Sequence, residues 1–211
     1  MSLFVSFEGP EGGGKTTQAQ QLADALSAAG HAVVNTREPG GTPIGNQVRQ
    51  LLLDHGSAGM QPQTEFLLFS ASRAQLVREV IEPQLARGGV VLCDRFYDSS
   101  LAYQGYGHQL DLVELQRTTR LATGGRAPDL TFLLDIDAQA GLQRRRAQGG
   151  QWNRLDGYAL EFHERVRAGF LQLAAAEPAR WVVLDAGADP AQLQAAVLKH
   201  VLARLAGAAA R

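Results

Sequence analysis

Eight residues near the N-terminus, Gly9-Pro10-Glu11-Gly12-Gly13-Gly14-Lys15-Thr16, have the spacing of a loop that holds phosphates. Glycines let the backbone turn so that successive N–H groups point inward at anionic oxygens. A helix that starts where the loop ends adds the positive end of its dipole. In such a loop the lysine reaches the outer phosphates of a nucleoside triphosphate, and the hydroxyl of the last residue, here Thr16, ligates Mg²⁺. The apolar run Leu3–Phe7 precedes it and a helical pattern follows, which is the context the spacing requires. Of the 20 basic residues only two, at positions 15 and 199, are lysines; the other 18 are arginines. A lysine kept in so arginine-biased a chain is a strong signal, and a run of arginines is a weak one. Lys199 is followed by His200 and Val201, so the Asn-Lys-x-Asp reader of GTP switches is absent.

Three further groups could act on phosphate. Val90-Val91-Leu92-Cys93-Asp94-Arg95 reads as a buried strand ending in an acid and a guanidinium. Ligands of open parallel sheets bind beyond such strand ends. Asp94 is placed there to hold the Mg²⁺ shell, and Arg95 offers a planar fork to a phosphate dianion. A cationic fork where an ATPase would want water suggests an acceptor that is itself phosphorylated. Asp135 and Asp137, ending a later strand, are rival acids ranked below Asp94. Arg37-Glu38-Pro39-Gly40-Gly41-Thr42 follows the second strand; Arg37 is a phosphate ligand candidate and Glu38 could orient magnesium-bound water. Arg144–Arg154 is basic, glycine-containing and flanked by helical patterns.

The elements that must position these residues are legible from hydrophobic pattern. Continuous β-rich runs at Leu3–Phe7, His31–Thr36, Val90–Cys93, Leu130–Asp135 and Arg180–Asp185 read as strands covered on both faces. Helical patterns lie at 15–29, 43–54, 62–86, 111–122, 138–147, 154–176 and 190–206, with Gly30, Pro43 and Pro190 as punctuation. The alternation predicts an α/β fold, a doubly wound parallel sheet of about five strands flanked by helices, of the P-loop NTPase type. The 211 residues fit a single domain, 1–211, with no internal linker. A net charge of −1 argues against a broad basic surface for nucleic acid, and the lone Cys93 against a disulfide framework or cysteine-rich zinc site. No stretch reaches the ~20 apolar residues of a membrane span, and the first residues lack a signal-peptide pattern, so the expectation is a cytoplasmic protein.

Taken together these residues resemble the bacterial thymidylate kinases. The resemblance rests on Asp94-Arg95-Phe96-x-x-Ser99-Ser100-x-Ala102-Tyr103-Gln104, Arg37–Thr42, Phe66–Arg73, Arg126-Ala127-Pro128-Asp129-Leu130, and Asn153-Arg154-Leu155, in register from about residue 3 to 185. It implies transfer of the ATP γ-phosphoryl group to dTMP, a homodimer, and ATP and Mg²⁺ as cofactors. It further implies a stacking role for Phe69 on thymine and a hydrogen bond from Arg73. Ser99, Ser100 and Gln104 would line base and ribose, Tyr103 would stand near the sugar 2′ position, Glu11 near the 3′-hydroxyl, and Arg95 and Arg37 on the acceptor phosphate. Gly9, Pro10, Glu11, Gly12, Gly13, Gly14, Lys15, Thr16 and Thr17 would form the ATP loop, and Thr16, Asp94 and Glu38 the metal site, the last two directly or through water. Phe66, Leu67 and Leu68 are read as core.

Some family members carry an arginine at the position of Gly12, others place the working arginine in a lid. Glycine here, with arginines in 144–154, looks like the lid-arginine branch, with a lid at about 144–156. Asp156 stands where a glutamate is common. By that resemblance Arg154 is the catalytic lid arginine, beside Lys15 and Arg95, and Arg144, or else Arg145 or Arg146, stacks on adenine. The alternatives are another nucleoside or nucleotide kinase of the P-loop class, and a P-loop ATPase switch.

Overall fold

A computed structural model describes residues 2–147, 149 and 152–209. Gln148, Gly150 and Gln151, within the expected lid, lie outside the described residues. The sheet has five parallel strands in the order β2-β3-β1-β4-β5: β1 Leu3–Glu8, β2 Val33–Arg37, β3 Val90–Asp94, β4 Leu130–Asp135 and β5 Trp181–Asp185. Phe7 of β1 and Arg37 of β2 both register with Asp94 of β3, so three strands end level and their following loops share one edge.

Both faces of the sheet are covered, as the continuous apolar strands predict. Side chains of Val5, Phe7, Leu92 and Phe132 pack with Leu22 and Leu26 of α1 (Lys15–Ala28) and Val197 and Val201 of α9 (Pro190–Ala209). On the other face Phe4, Val91 and Cys93 meet Leu76 of α3 (Pro62–Leu76), Ile81 and Phe96. There too Leu133 and Trp181 meet Tyr103, and Phe162 and Phe170 of α8 (Leu160–Ala176). The helix punctuation holds. Thr42 caps α2 (Pro43–Leu53) by accepting the Gly45 N–H, with Pro43 in the first turn, and Asp189 accepts the N–H groups of Ala191 and Gln192.

Three departures from the sequence pattern bear on the site. The 62–86 helix runs from α3 through a π-helical turn at Val77–Ile81 into α4 (Glu82–Ala86). A helical stretch absent from the hydrophobic reading follows β3, α5 (Tyr97–Ser100) continuing into a π-helical turn at Leu101–Gly107. Its serines and glycines are weak helix formers, so packing against α8 overrides local propensity. Finally, α8 starts at Leu160 rather than 154. The Asn153 side-chain oxygen accepts the N–H groups of Leu155 and Asp156, a local bond that competes with a helical start. The remaining helices are α6 (Leu112–Thr123) and α7 (Ala138–Ala147), the latter with the predicted bounds.

Candidate active site

The loops after β1, β2 and β3 open on a cleft of about 340 Å³. At its floor, Gly9 and Gly12 adopt φ of 133° and 71°, which L side chains rarely do. A Cβ on Gly12 would stand 2.2 Å from the Gly141 carbonyl, because α7 lies directly against the loop. An arginine therefore has no room at position 12, and any cation besides Lys15 must come from elsewhere. Gly14, at φ 83°, precedes the first turn of α1, where free N–H groups face the cleft edge. Pro10 is buried, while Gly14, Thr16 and Thr17 line the cleft. Lys15 is buried, and its Nζ donates to the carbonyls of Gly9 (3.0 Å) and Pro10 (2.6 Å). Burial and the neighbouring Arg95 charge push its pKa down to about 8, against the pull of Asp94, Glu11 and Glu8. An anion beside Lys15 would reverse that penalty.

The Thr16 hydroxyl donates to Asp94 Oδ2, so the two metal candidates meet. All donors there are hard oxygens, the set Mg²⁺ takes when phosphates and water complete its shell. Among the described residues no group of three or more His, Cys, Asp or Glu side chains forms a metal cage. Glu38 is buried; Oε2 accepts Arg73 Nε at 2.7 Å while Oε1 has no hydrogen-bond partner among the described residues. Burial raises its pKa to about 7 despite Arg73. The rival acid Asp135 is spent on Arg167, with Nε and Nη2 at 2.8 and 2.9 Å, and Asp137 lies 3.5 Å from the same guanidinium.

Arg95 is the hub of the hydrogen bonds that join the phosphate loop to the helical stretch after β3. Its φ of 69° lies in the left-handed region, a local strain that the N–H bond to Phe7 O helps hold. Nη1 donates to Gly9 O (3.0 Å) and Ser99 Oγ (3.1 Å); Nη2 donates to Glu11 Oε1 and Tyr103 OH, both at 3.1 Å. The Tyr103 hydroxyl also donates to Glu11. Burial alone would raise the Glu11 pKa, but His163, Arg95, Lys15 and Tyr103 hold it well below the usual carboxylate range. His163 Nδ1 lies 3.4 Å from Glu11 Oε2. Behind Arg95, Glu8 accepts the Phe96 N–H (2.7 Å) and the Ser99 hydroxyl (2.5 Å).

The base-sized end of the cleft is lined by Phe69, Arg73, Ser99, Ser100, Tyr103 and Gln104, all on α3 or the helical stretch after β3. Arg73 Nη2 donates to Ser100 Oγ (2.9 Å), while Nη1 has no hydrogen-bond partner among the described residues. Arg37 is exposed at the rim. Of the three apolar neighbours of Phe69 read as core, Phe66 is buried but Leu67 is 57% exposed and Leu68 half-buried. The i, i+3 spacing is right for one face of a helix; it does not turn the intervening residues inward.

Arg154 is set apart from the other candidates. Arg154 does not line the cleft, although Asn153, Leu155 and Asp156 around it do. Its Nη2 donates to Glu65 Oε2 (2.5 Å), Nη1 to Tyr158 OH (2.8 Å) and Nε to Leu52 O (3.0 Å). These bonds hold the guanidinium among buried groups. The lid cation at the cleft wall is Arg145, 3.6 Å from Asp156. Arg144 lies outside the cleft lining and donates to Ala186 O at 2.7 Å, beyond β5. Arg49 and Leu53 of α2 also line the cleft. Sequence reasoning missed both, since one more arginine carries little signal here and Leu53 reads as core.

A sequence profile described as Thymidylate kinase matches residues 7–197. The chain is 56% identical over 202 residues to the thymidylate kinase of Deinococcus radiodurans, covering 96% of this chain and 97% of that one. It is 50% identical over 225 residues to that of Herpetosiphon aurantiacus, covering 95% of each. The crystal structure of thymidylate kinase from Ehrlichia chaffeensis superposes with a TM-score of 0.78 at 35% identity, over 95% of this chain and 98% of that one.

Proposed function

The chain belongs to the thymidylate kinase family, a phosphotransferase that carries dTMP to dTDP, and we propose that ATP with Mg²⁺ is its donor and the cleft its site. The observation that carries the reading is a second cationic fork, Arg95, seated beside the phosphate-binding loop in the same cleft and hydrogen-bonded to Gly9 O. Two anions must meet there, one on each side.

On the donor side the loop N–H groups and Lys15 take the ATP phosphates, with Thr17 beside them. Arg144, packed by its Cβ near Gly12 and bonded beyond β5, borders the adenine. Bound Mg²⁺ would be held by Thr16 and Asp94, with Glu38 as an outer acceptor, and would neutralise charge on the β- and γ-phosphates. On the acceptor side Arg95, Arg37 and Arg49 hold the dTMP phosphate. Phe69 stacks on thymine, Arg73 and Gln104 face its edge, and Ser99 and Ser100 line base and ribose. Glu11 accepts the 3′-hydroxyl, and Tyr103, fixed by Glu11 and Arg95, fills the space a 2′-hydroxyl would need.

No side chain becomes a nucleophile. An oxygen of the dTMP phosphate attacks the γ-phosphorus, the bond to the β-phosphate oxygen breaks, and ADP leaves with the electron pair. The protein supplies alignment and positive charge, from Lys15, Arg95 and Arg145. The residues around 144–156 act as the lid that limits water.

Leu51 on α2, Leu67 on α3 and Val113 and Leu121 on α6 stand exposed on helices that pack side by side, which supports a homodimer. Among the described residues no helix is long and apolar enough to cross a membrane; the reading places the enzyme in the cytoplasm. A coupled ADP-release assay with ATP–Mg²⁺ tests the function: turnover is expected to be greatest with dTMP, lower with dUMP and low with UMP. Equal turnover of AMP or GMP would overturn it. ADP release needing no monophosphate would favour an ATPase switch.

A further inference from the structure

Glu65 belongs to no part of the machinery above, yet it is fully buried and the side chains that donate to it come from two distant stretches of chain, around residues 104 and 154–158. It sits in the first turn of α3. Its Oε1 accepts Gln104 Nε2 at 2.7 Å, from the turn that forms the base end of the cleft, and lies 3.4 Å from His108 Nε2. Its Oε2 accepts Arg154 Nη2 and, at 3.1 Å, the Tyr158 hydroxyl. Arg154 in turn is fixed to the end of α2, through Nε to Leu52 O and N–H to Leu53 O (3.4 Å). The neighbours of Arg154 in sequence, Asn153, Leu155 and Asp156, form the outer wall of the cleft. Asp156 accepts both the N–H and the side-chain amide of Asn153 (3.0 and 2.7 Å) and faces Arg145, so hydrogen bonds tie the wall together on either side of Arg154.

We propose that Glu65 is a positioning residue that couples acceptor recognition to the cleft's outer wall, one oxygen holding Gln104 and the other Arg154. The inference rests on the reading of the cleft as a dTMP site. A ligand that draws on Gln104 must act on the carboxylate that also seats Arg154, and with it Asn153–Asp156. Charge makes the link stiff. Burial works against the Glu65 carboxylate, but His108, Arg154 and Gln104 hold its pKa below the usual value, so it stays ionised and stays paired.

Trp152 reports on this wall. It adjoins Asn153, its ring lies 4.6 Å from the Arg146 guanidinium, and its carbonyl bonds His55 Nε2 at 2.8 Å. The other tryptophan, Trp181, is buried in β5. In full-length protein carrying Trp181→Phe, dTMP without ATP is expected to change Trp152 fluorescence saturably. Adding Glu65→Gln is expected to abolish that change while equilibrium dialysis still detects dTMP bound at saturation. A full fluorescence change in Glu65→Gln, or no change in the Trp181→Phe parent while dTMP binds, overturns the proposal and leaves the kinase reading intact. If the parent binds no dTMP at all, the reading of the cleft fails, and the proposal with it. Glu65→Gln leaves Arg154 a buried charge without its partner, so the fold is checked by its thermal transition. Should that variant not fold, Tyr158→Phe removes one hydroxyl from the same hub and keeps the ring. It is expected to diminish the change, and an unaltered change there overturns the coupling.

Discussion

Two arginines stand near the same cleft, Arg95 after β3 and Arg154 before α8, and what holds each one is different. Arg95 is bonded by Gly9 O, Glu11, Ser99 and Tyr103, groups on the cleft lining or the phosphate loop itself. Arg154 is bonded by Glu65, Tyr158 and Leu52 O, none of which lines the cleft. The first guanidinium is held in place by the site and faces it. The second is consumed in holding the wall. Residue type is the same for both; the partners alone separate a guanidinium that faces the cleft from one held behind its wall.

The largest effects should fall on the cleft-facing cations. Lys15→Ala and Arg95→Ala are each expected to lower kcat/KM for dTMP phosphorylation by roughly 10²–10³ or more, the loss seen when a preorganised charge donor is removed. The thermal transition of Lys15→Ala should stay close to wild type, because burial already works against that charge, whereas Arg95→Ala also removes the ion pair to Glu11 and should lower Tm as well. Unchanged turnover in either would remove that residue from the chemistry.

Arg154 and Arg145 break the comparison most cleanly. Arg154→Ala strands Glu65 as a buried charge, which costs about 3–5 kcal/mol and lowers Tm by roughly 6–20 °C for a chain of this size. Arg145→Ala should leave Tm nearly unchanged and lower kcat by one to two decades, about 1.4–2.8 kcal/mol of barrier. Differential scanning calorimetry beside steady-state kinetics reads both. A stable, catalytically dead Arg154→Ala would return the finger role to Arg154.

Phe69→Ala is expected to act on recognition alone. Loss of a stacking platform worth about 1–3 kcal/mol should raise KM for dTMP by roughly 5- to 150-fold, with KM for ATP little changed. An effect confined to ATP would move Phe69 out of the acceptor site.

The smallest expected effect is on pH. The folded pKa of Glu38, about 7, is raised above the value of 4.5 for a free carboxyl. The folded state therefore binds the proton more tightly, and the contribution to stability is full below pH 4.5 and is lost as pH rises through 7. Ligand-free protein should lose denaturant resistance across that window, and Glu38→Gln should flatten the profile. A profile identical to wild type would mean that the carboxyl is not the titrating group.

Most of the fold was legible because its signals are local. Continuous apolar strands, a glycine loop and first-turn prolines at Pro43 and Pro190 mark the sheet and its helices, and the phosphate loop is recognisable because main-chain geometry there demands glycine at fixed spacing. The other side of the cleft was legible through the residues after β3, which line it. What was hidden depends on long-range pairing. That Arg154 meets Glu65, 89 residues away, leaves no trace in either residue's neighbourhood. The same holds for His163 beside Glu11, and for Arg49, lost among the arginines. The helical stretch 97–107 was missed because serine and glycine argue locally against a turn that packing enforces.

Following the γ-phosphoryl group itself tests the central claim most directly. With γ-labelled ATP, Mg²⁺ and dTMP, the label is expected in dTDP, with inorganic phosphate a minor product. Label released as inorganic phosphate at the same rate with and without dTMP would contradict the account.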